Sequence, residues 1–286
     1  MVKGRKELIE IDQLDMLFDA WREEHRSEPN FENTTVSTPI TAAFPLNRRQ
    51  CLCMENANFL VKIIDRHGKK YAYYPPIERD SFVKDGAVCM ESYQHAQKKI
   101  LFLLKEANIQ TYRKKGEIPS QRDQRIWYQK YAFSELYQGN PVTCNNKRVD
   151  NRAKQLEKIA RMACFLLTEN LDPTPEELQD AIFQVAFLNL NKRGGDNSEK
   201  IVRAYTKRYR EYICREIELL SPDSIVCLGT YKYLSLLPDI SGASFINMWH
   251  TGCRFPGKFP LCKFILKSTD KNIKRYMELF VKRTIR

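Results

Sequence analysis

The sequence predicts an α/β protein: a three-layer sandwich with a four-stranded parallel sheet, preceded by an N-terminal accessory region. Two observations carry that expectation. Residues 100–108, ILFLLKEAN, form an apolar run without alternation, too short for a typical helix, that drives into Lys105, Glu106 and Asn108. Such a run suits a strand buried on both faces that delivers polar side chains to the carboxyl edge of its sheet. From about residue 90 onward, apolar runs of strand length also alternate with segments of helical spacing, the rhythm of a parallel sheet covered on both faces. Ligands of open α/β sheets bind just outside the carboxyl ends of the strands, so Glu106 stands where chemistry is usually done.

Residues 5–26 read as a helix, with Leu8, Leu14, Leu17, Phe18 and Trp21 available for a buried stripe. A stretch at 27–45 rich in Asn, Thr, Ser and Pro reads as loop, and 59–74 as two strands around Arg66, His67 and Gly68, ended by Pro75 and Pro76. These segments make up an accessory region over 1–89, with a catalytic domain expected over 90–286. In that domain the strands are placed at 100–104, 183–190, 224–228 and 245–249, and helices at 122–137, 152–169, 198–219 and 270–283. Leu156, Ile159, Ala160, Ala163 and Leu167 give the second of these helices its apolar spacing.

The chain has 286 residues and a formal net charge of +12. Residues 98–130 carry nine Lys and Arg against three acids, and residues 192–215 carry eight against three, so two windows hold nearly the whole excess. Basic clusters interleaved with Tyr and Trp favour a polyanion with stackable bases, which points to nucleic acid. No apolar run reaches the length of a membrane-spanning helix, and the opening MVKGRKELIEID lacks an apolar signal core. A cytoplasmic monomer with no membrane partner is expected.

The nine cysteines are odd in number, and Cys164, Cys214, Cys227 and Cys262 lie in apolar surroundings, as core thiols do. Cys51 and Cys53 are one residue apart, not the two of the common metal knuckle, and no second pair follows. Cys89, His67 and His95 offer further ligands, yet reduced thiols are the simpler reading, and neither a metal nor another cofactor is expected.

Three strand ends bring polar groups to one edge: Glu106 and Asn108 from the first strand, Asn189 and Asn191 from the second, His250 from the fourth. A carboxylate can activate water, an amide can read a base edge, and a histidine can donate a hydrogen bond to a leaving group as negative charge develops there. That set fits hydrolysis of a nucleoside N-glycosidic bond.

The segments KILFLLKEAN, VAFLNLNKRGG, SPDSIVCLGTYKY and MWHTGCRFP, in this order, resemble the uracil-DNA glycosylase superfamily over roughly residues 90–286. The resemblance implies a monofunctional DNA glycosylase that flips a base from double-stranded DNA, hydrolyses its bond to the sugar and leaves an abasic site. It implies a water-handling role for Glu106 in either of two alignment registers, with Asn108 as the fallback. Asn189 resembles the amide that recognises the pyrimidine edge, with Asn191 beside it, and His250 resembles the histidine of the family's His-Pro-Ser loop. Tyr112, Trp127 and Tyr128 are the candidate stacking platform for a flipped base. Lys105, Arg113, Lys114, Lys115, Lys192 and Arg193 are the candidate phosphate contacts, with Arg254 and Phe255 placed to enter the duplex beside His250.

The departures bear on the substrate. The Gly and Pro of the family's first motif are absent, with Leu104 or Lys105 and Ala107 or Asn108 in their places, and Thr251-Gly252 replaces Pro-Ser after the histidine. The cysteine pattern that holds an iron–sulfur cluster in one branch is not visible either. Two substrates stay open: uracil in repair, and a modified base such as the glucosylated hydroxymethylcytosine of phage DNA, on which related-looking glycosylases act in antiviral defence. Two other functions also stay open. One is a binding module for modified DNA that does not cleave it. The other is a nuclease in which Glu106 with Asp123 or Asp196 would hold magnesium, although no paired acids with a well-spaced lysine are found.

Overall fold

The computed structural model describes residues 3–27, 59–65, 68–74, 82–106, 122–131, 151–193, 199–237, 240, 242–252 and 271–284. In chain order these form α1 (Lys3–Ser27), a hairpin of β1 (Phe59–Asp65) and β2 (Gly68–Tyr74), then β3 (Val83–Lys84), β4 (Gly86–Ala87) and α2 (Met90–His95). There follow β5 (Ile100–Glu106), β6 (Arg122–Asp123), α3 (Gln124–Tyr131), α4 (Asn151–Thr168), α5 (Pro175–Phe183) and β7 (Val185–Asn191). The chain continues through α6 (Glu199–Arg208), α7 (Arg210–Leu220), β8 (Ser224–Leu228), a 3-10 turn (Tyr231–Leu236), β9 (Ser244–Met248) and α8 (Lys271–Thr284). Among the described residues no helix is long and apolar enough to cross a membrane.

The fold is α/β around a mixed sheet of five strands in the order β4-β7-β5-β8-β9. β7, β5, β8 and β9 run parallel, and β4 closes one edge antiparallel to β7. The four-strand expectation is therefore corrected by one short strand. Two residues are too few to show an alternation, which is why β4 is silent in the sequence.

Side-chain alternation along the parallel strands divides the core into two. Ile100, Phe102, Val185, Phe187, Val226 and Leu228 face one way and pack with apolar residues of α3, α4, α5 and α8. Leu101, Leu103, Ala186, Leu188, Ile225 and Cys227 face the other way and pack with α1, α6 and α7. Helices thus cover both faces. Leu14, Phe18 and Trp21 of α1 follow helical spacing and are buried in the second cluster. Residues before 90 therefore supply an edge strand of the sheet and part of one covering layer.

Several element boundaries differ from the sequence reading, three of them instructively. The expected helix over 198–219 is interrupted at Tyr209, between α6 and α7. The strand expected from 183 starts at Val185, because Phe183 ends a helix that the apolar spacing alone did not reveal. That helix has a legible start: Thr174 accepts from the Glu177 N–H at 3.3 Å, Glu177 accepts from the Thr174 N–H at 2.7 Å, and Pro175 fills the first turn. Of the helix expected over 122–137, Gln124–Tyr131 is observed and 132–137 lies outside the described residues.

Gly86 carries a geometric requirement. Its φ is +114°, and a Cβ there would come within 2.9 Å of Leu14 Cδ2. The edge strand can approach α1 this closely only without a side chain. Gly86→Ala is expected to cost about 1–3 kcal/mol through backbone strain and overpacking, measurable as a lower urea midpoint; an unchanged midpoint would show that α1 yields freely.

Candidate active site

Three of the sequence-predicted groups lie at the carboxyl edge of the sheet. Glu106 ends β5 and pairs in register with Asn191, while Leu104 pairs with Asn189. Adjacent strands are about 4.8 Å apart, so the carboxylate and the two amides come from neighbouring backbones. His250 follows β9 by two residues, on the far side of β8.

Asn189 and Asn191 are fully buried, and Asn189 is held from the sheet edge. Asp85 lies between β3 and β4, where its side chain takes the place of a ladder partner. Its Oδ2 accepts from the Asn189 backbone N–H at 2.6 Å and from Asn189 Nδ2 at 2.9 Å. Its Oδ1 accepts from Lys192 Nζ. Asn189 Nδ2 also donates to Gln124 Oε1 at 2.8 Å, and Gln124 Nε2 donates to the Tyr128 hydroxyl at 3.1 Å. Asp85 and Gln124 were missed in the sequence. The only signal for Asp85 is an acid set inside the short run Phe82-Val83-Lys84-Asp85-Gly86-Ala87-Val88.

Lys192 is not available to a phosphate. It is fully buried between Asp85 and Glu216, with Glu216 Oε2 at 2.7 Å, and its ammonium lies over the rings of Phe18 and Trp21 at 5.3 and 5.2 Å. Burial, and then the neighbouring Asp85 carboxylate, push the Glu216 carboxyl well above its ordinary range. A proton held by Glu216 leaves one negative charge, on Asp85, to balance one lysine. Arg193 is also fully buried, its guanidinium 5.7 and 5.8 Å from the Tyr205 and Tyr209 rings. Both residues follow a strand that runs inward at its end, and this corrects their assignment to the DNA surface. Tyr128 is corrected similarly. It is a core ring stacked on Phe187 at 4.1 Å, not an open platform.

The His250 segment is held by the helices on one face. Lys158 of α4, itself buried, donates to the Thr251 carbonyl at 2.7 Å, and the Tyr276 hydroxyl of α8 donates to the Trp249 carbonyl. The Lys158 ammonium lies 5.0 Å from the Tyr276 ring. The carbonyls on either side of His250 are thus gripped by two side chains that touch each other. The Gly252 N–H donates to His250 Nδ1 at 3.0 Å. Cβ atoms at Gly229 or Gly252 would fall 3.3 Å from the His250 backbone nitrogen or 3.0 Å from its Nδ1. The ring is therefore seated closely against two glycines while it stays partly open to solvent.

Partial burial, then the nearby Lys105 and Lys158 ammoniums, lower the His250 pKa below the ordinary histidine value. The neutral ring accepts at Nδ1 and so carries its hydrogen on Nε2. Lys105, a candidate phosphate contact, lies half-buried on β5. Its charge acts on both His250 and Glu199.

Asp123, considered as a magnesium ligand, is occupied by Arg125, whose Nη2 lies 2.6 Å from its Oδ2. Arg203, Lys207, Arg208, Arg210 and Arg215 are exposed on α6 and α7. Asn108, Tyr112, Arg113, Lys114, Lys115, Arg254, Phe255, Asp196 and the Trp127 side chain lie outside the described residues, as do Cys51, Cys53 and His67 of the weighed zinc set. No protein-family model, curated protein or solved structure matches the chain.

Two expectations follow from this geometry. Lys192→Met should destabilise the fold by about 3–5 kcal/mol, because it leaves Asp85 buried without its counter-charge. Glu216→Gln should be tolerated. A carboxyl with a raised folded pKa stabilises most below its unfolded value, about 4.3, and loses that contribution as pH rises. Removing the acid should therefore flatten the decline, read by urea unfolding across that range; equal slopes in both proteins would place the proton elsewhere.

Lys158→Met should displace the His250 segment and release one of the charges that hold the ring neutral. Its ring should protonate at higher pH than in the parent, while Lys158→Arg retains the parent titration. NMR titration of the imidazole resonances checks this, and identical midpoints in all three proteins would remove Lys158 from the control of His250.

Proposed function

We propose that this protein is a monofunctional DNA glycosylase that flips out a modified base and hydrolyses its N-glycosidic bond, leaving an abasic site. The observation that carries the reading is the convergence at one sheet edge of a carboxylate on β5, two buried amides on β7 and a neutral histidine after β9. A three-layer α/β unit of the uracil-DNA glycosylase type is the proposed scaffold, and four adjacent parallel strands support it.

In the proposed reaction the bond from the sugar C1′ to the base nitrogen breaks, and its electron pair leaves with the base. Glu106 holds a water and takes its proton as the oxygen bonds to C1′. The His250 Nε2–H donates to the departing base, where negative charge accumulates, and the Lys105 and Lys158 ammoniums add a favourable field. Asn189 and Asn191 hold the base edge. The exposed cations of α6 and α7, with residues of the basic stretch after β5, engage double-stranded DNA through its phosphates. Either uracil repair or defence against phage DNA carrying modified bases would use this chemistry.

The test is incubation of uracil-containing duplex and glucosylated phage DNA with purified protein in EDTA, followed by alkali. Breaks are expected only after the alkali step. Glu106→Gln should lower base release by about 100-fold or more while keeping DNA affinity within about threefold. Full release by that variant would exclude Glu106 from the mechanism. Binding without release by the parent on every modified substrate would favour a DNA-recognition module.

A further inference from the structure

Among the described residues three aromatic side chains are exposed: Tyr231, Phe245 and Trp249, at 46, 37 and 37%. All three come from one border of the sheet. β9 is its last strand, paired with β8 alone. Alternation sends Ile246 and Met248 inward and leaves Phe245 and Asn247 open on the other face, where no residue of β9 joins the second core cluster. Trp249 is the next position of that alternation, about 13 Å along from Phe245 at strand rise, and His250 follows it. Tyr231 opens the 3-10 turn after β8, two residues past Gly229, where a Cβ would lie 3.3 Å from the His250 backbone nitrogen. The backbone here is fixed: Thr230 donates to the Leu103 carbonyl at 2.9 Å, and Arg283 of α8 donates to the Asn247 carbonyl. The Arg283 guanidinium also lies 6.0 Å from the Trp249 ring. β9, the 3-10 turn and α8 hold six Lys and Arg against one acid, Glu278, which is buried. Of the six, Lys232 is paired with Glu199 at 2.6 Å.

We infer that this border of the sheet is a binding surface for single-stranded DNA, with Phe245 and Trp249 stacking on unpaired bases and Arg283 and Lys282 beside the phosphates. Open aromatic faces set along a cationic rail are what an unpaired strand requires, because each of its bases has a free π-face. In a duplex the bases stack on one another and offer those faces to no ring. A second copy of the chain fits less well. A two-fold interface through this border would set the same cations against each other, whereas a polyanion neutralises them. A strand lying along β9 reaches His250 next. The surface is separate from the exposed cations of α6 and α7, which meet phosphates of any DNA. The inference takes from the proposed function its polymer, DNA, and nothing of the cleavage chemistry.

The test is equilibrium binding of the full-length protein to an unmodified oligothymidylate and to an unmodified duplex of the same length. Trp249→Ala and Phe245→Ala should each weaken single-strand binding by about fivefold or more, and duplex binding by less than about twofold. Trp249→Phe keeps a ring and should hold single-strand affinity within about threefold of the parent. Stacking also quenches indole emission, so the quenching that oligothymidylate causes in the parent should shrink in Trp249→Phe. Should Trp249→Ala fail to fold, Phe245→Ala and the quenching decide. A parent that does not bind the single strand overturns the inference, as does undiminished single-strand binding by the folded alanine variants. Equal losses on both DNAs overturn it too, and so does quenching that persists in full in Trp249→Phe. A dimer in sedimentation that Trp249→Ala splits, with single-strand affinity unchanged, would assign the face to a second copy instead. No base release is measured, so a failure here is distinct from a failure of the glycosylase reading.

Discussion

The buried carboxylate of Asp85 is the interaction on which the rest of the site depends. It stands at the sheet edge, where one oxygen serves each face. On one side it neutralises Lys192 beneath α1 and α7, and on the other it holds the backbone and side chain of Asn189. An unpaired charge at this depth would be several kcal/mol unfavourable, so its partners are as constrained as it is. Lys192 brings in Glu216 from α7 and the rings of Phe18 and Trp21 from α1. The first helix of the chain, the edge strand and the Asn189 amide thereby form one electrostatic unit.

That unit explains why the N-terminal segment cannot be a detachable addition to the sheet. The Val83 N–H donates to the Lys192 carbonyl at 2.8 Å, and the Val88 N–H to the Val185 carbonyl at 3.1 Å, so 83–88 runs along the whole of β7. Without it, β7 would be an open edge with unpaired backbone groups. Lys84 and Arg125 add ion pairs to Asp15 of α1, at 3.3 and 3.1 Å. These outer pairs are partly exposed and individually weak; the buried carboxylate supplies the directional constraint.

The sequence made the parallel strands legible because short, largely apolar runs such as Ile100–Leu104 have few other uses, and the strand ends followed from them. The positions of Glu106, Asn189, Asn191 and His250 at or just after strand ends were read this way. The assignments that failed share a cause. Lys192 and Arg193 look like surface cations from composition, and only the packing of α1, α6 and α7 shows that acids and aromatic rings await them inside. Tyr128 looks like a stacking platform until its partner Phe187, some sixty residues away, is known. Asp85, Gln124 and Lys158 carry no local pattern at all. Each acts across more than thirty residues of sequence, and periodicity is blind at that range.

The His250 segment has a defined ring position without a proline beside the histidine. A proline after the histidine would restrict the backbone through its ring. Here Thr251 follows, and the restriction comes from outside: Lys158 and Tyr276 hold the carbonyls on both sides of His250, and two glycines leave room for the ring to seat. This arrangement does something a proline cannot. The lysine that fixes the backbone also carries a charge that disfavours protonation of the ring. One side chain thus contributes both to the position and to the proton state of the ring, together with Tyr276, burial and Lys105. Under the proposed reaction that coupling has a direct use, since a neutral histidine can donate from Nε2 to the departing base. Beside Thr251 and Gly252 the segment is thus held by a clamp from α4 and α8, one member of which also disfavours protonation of the ring.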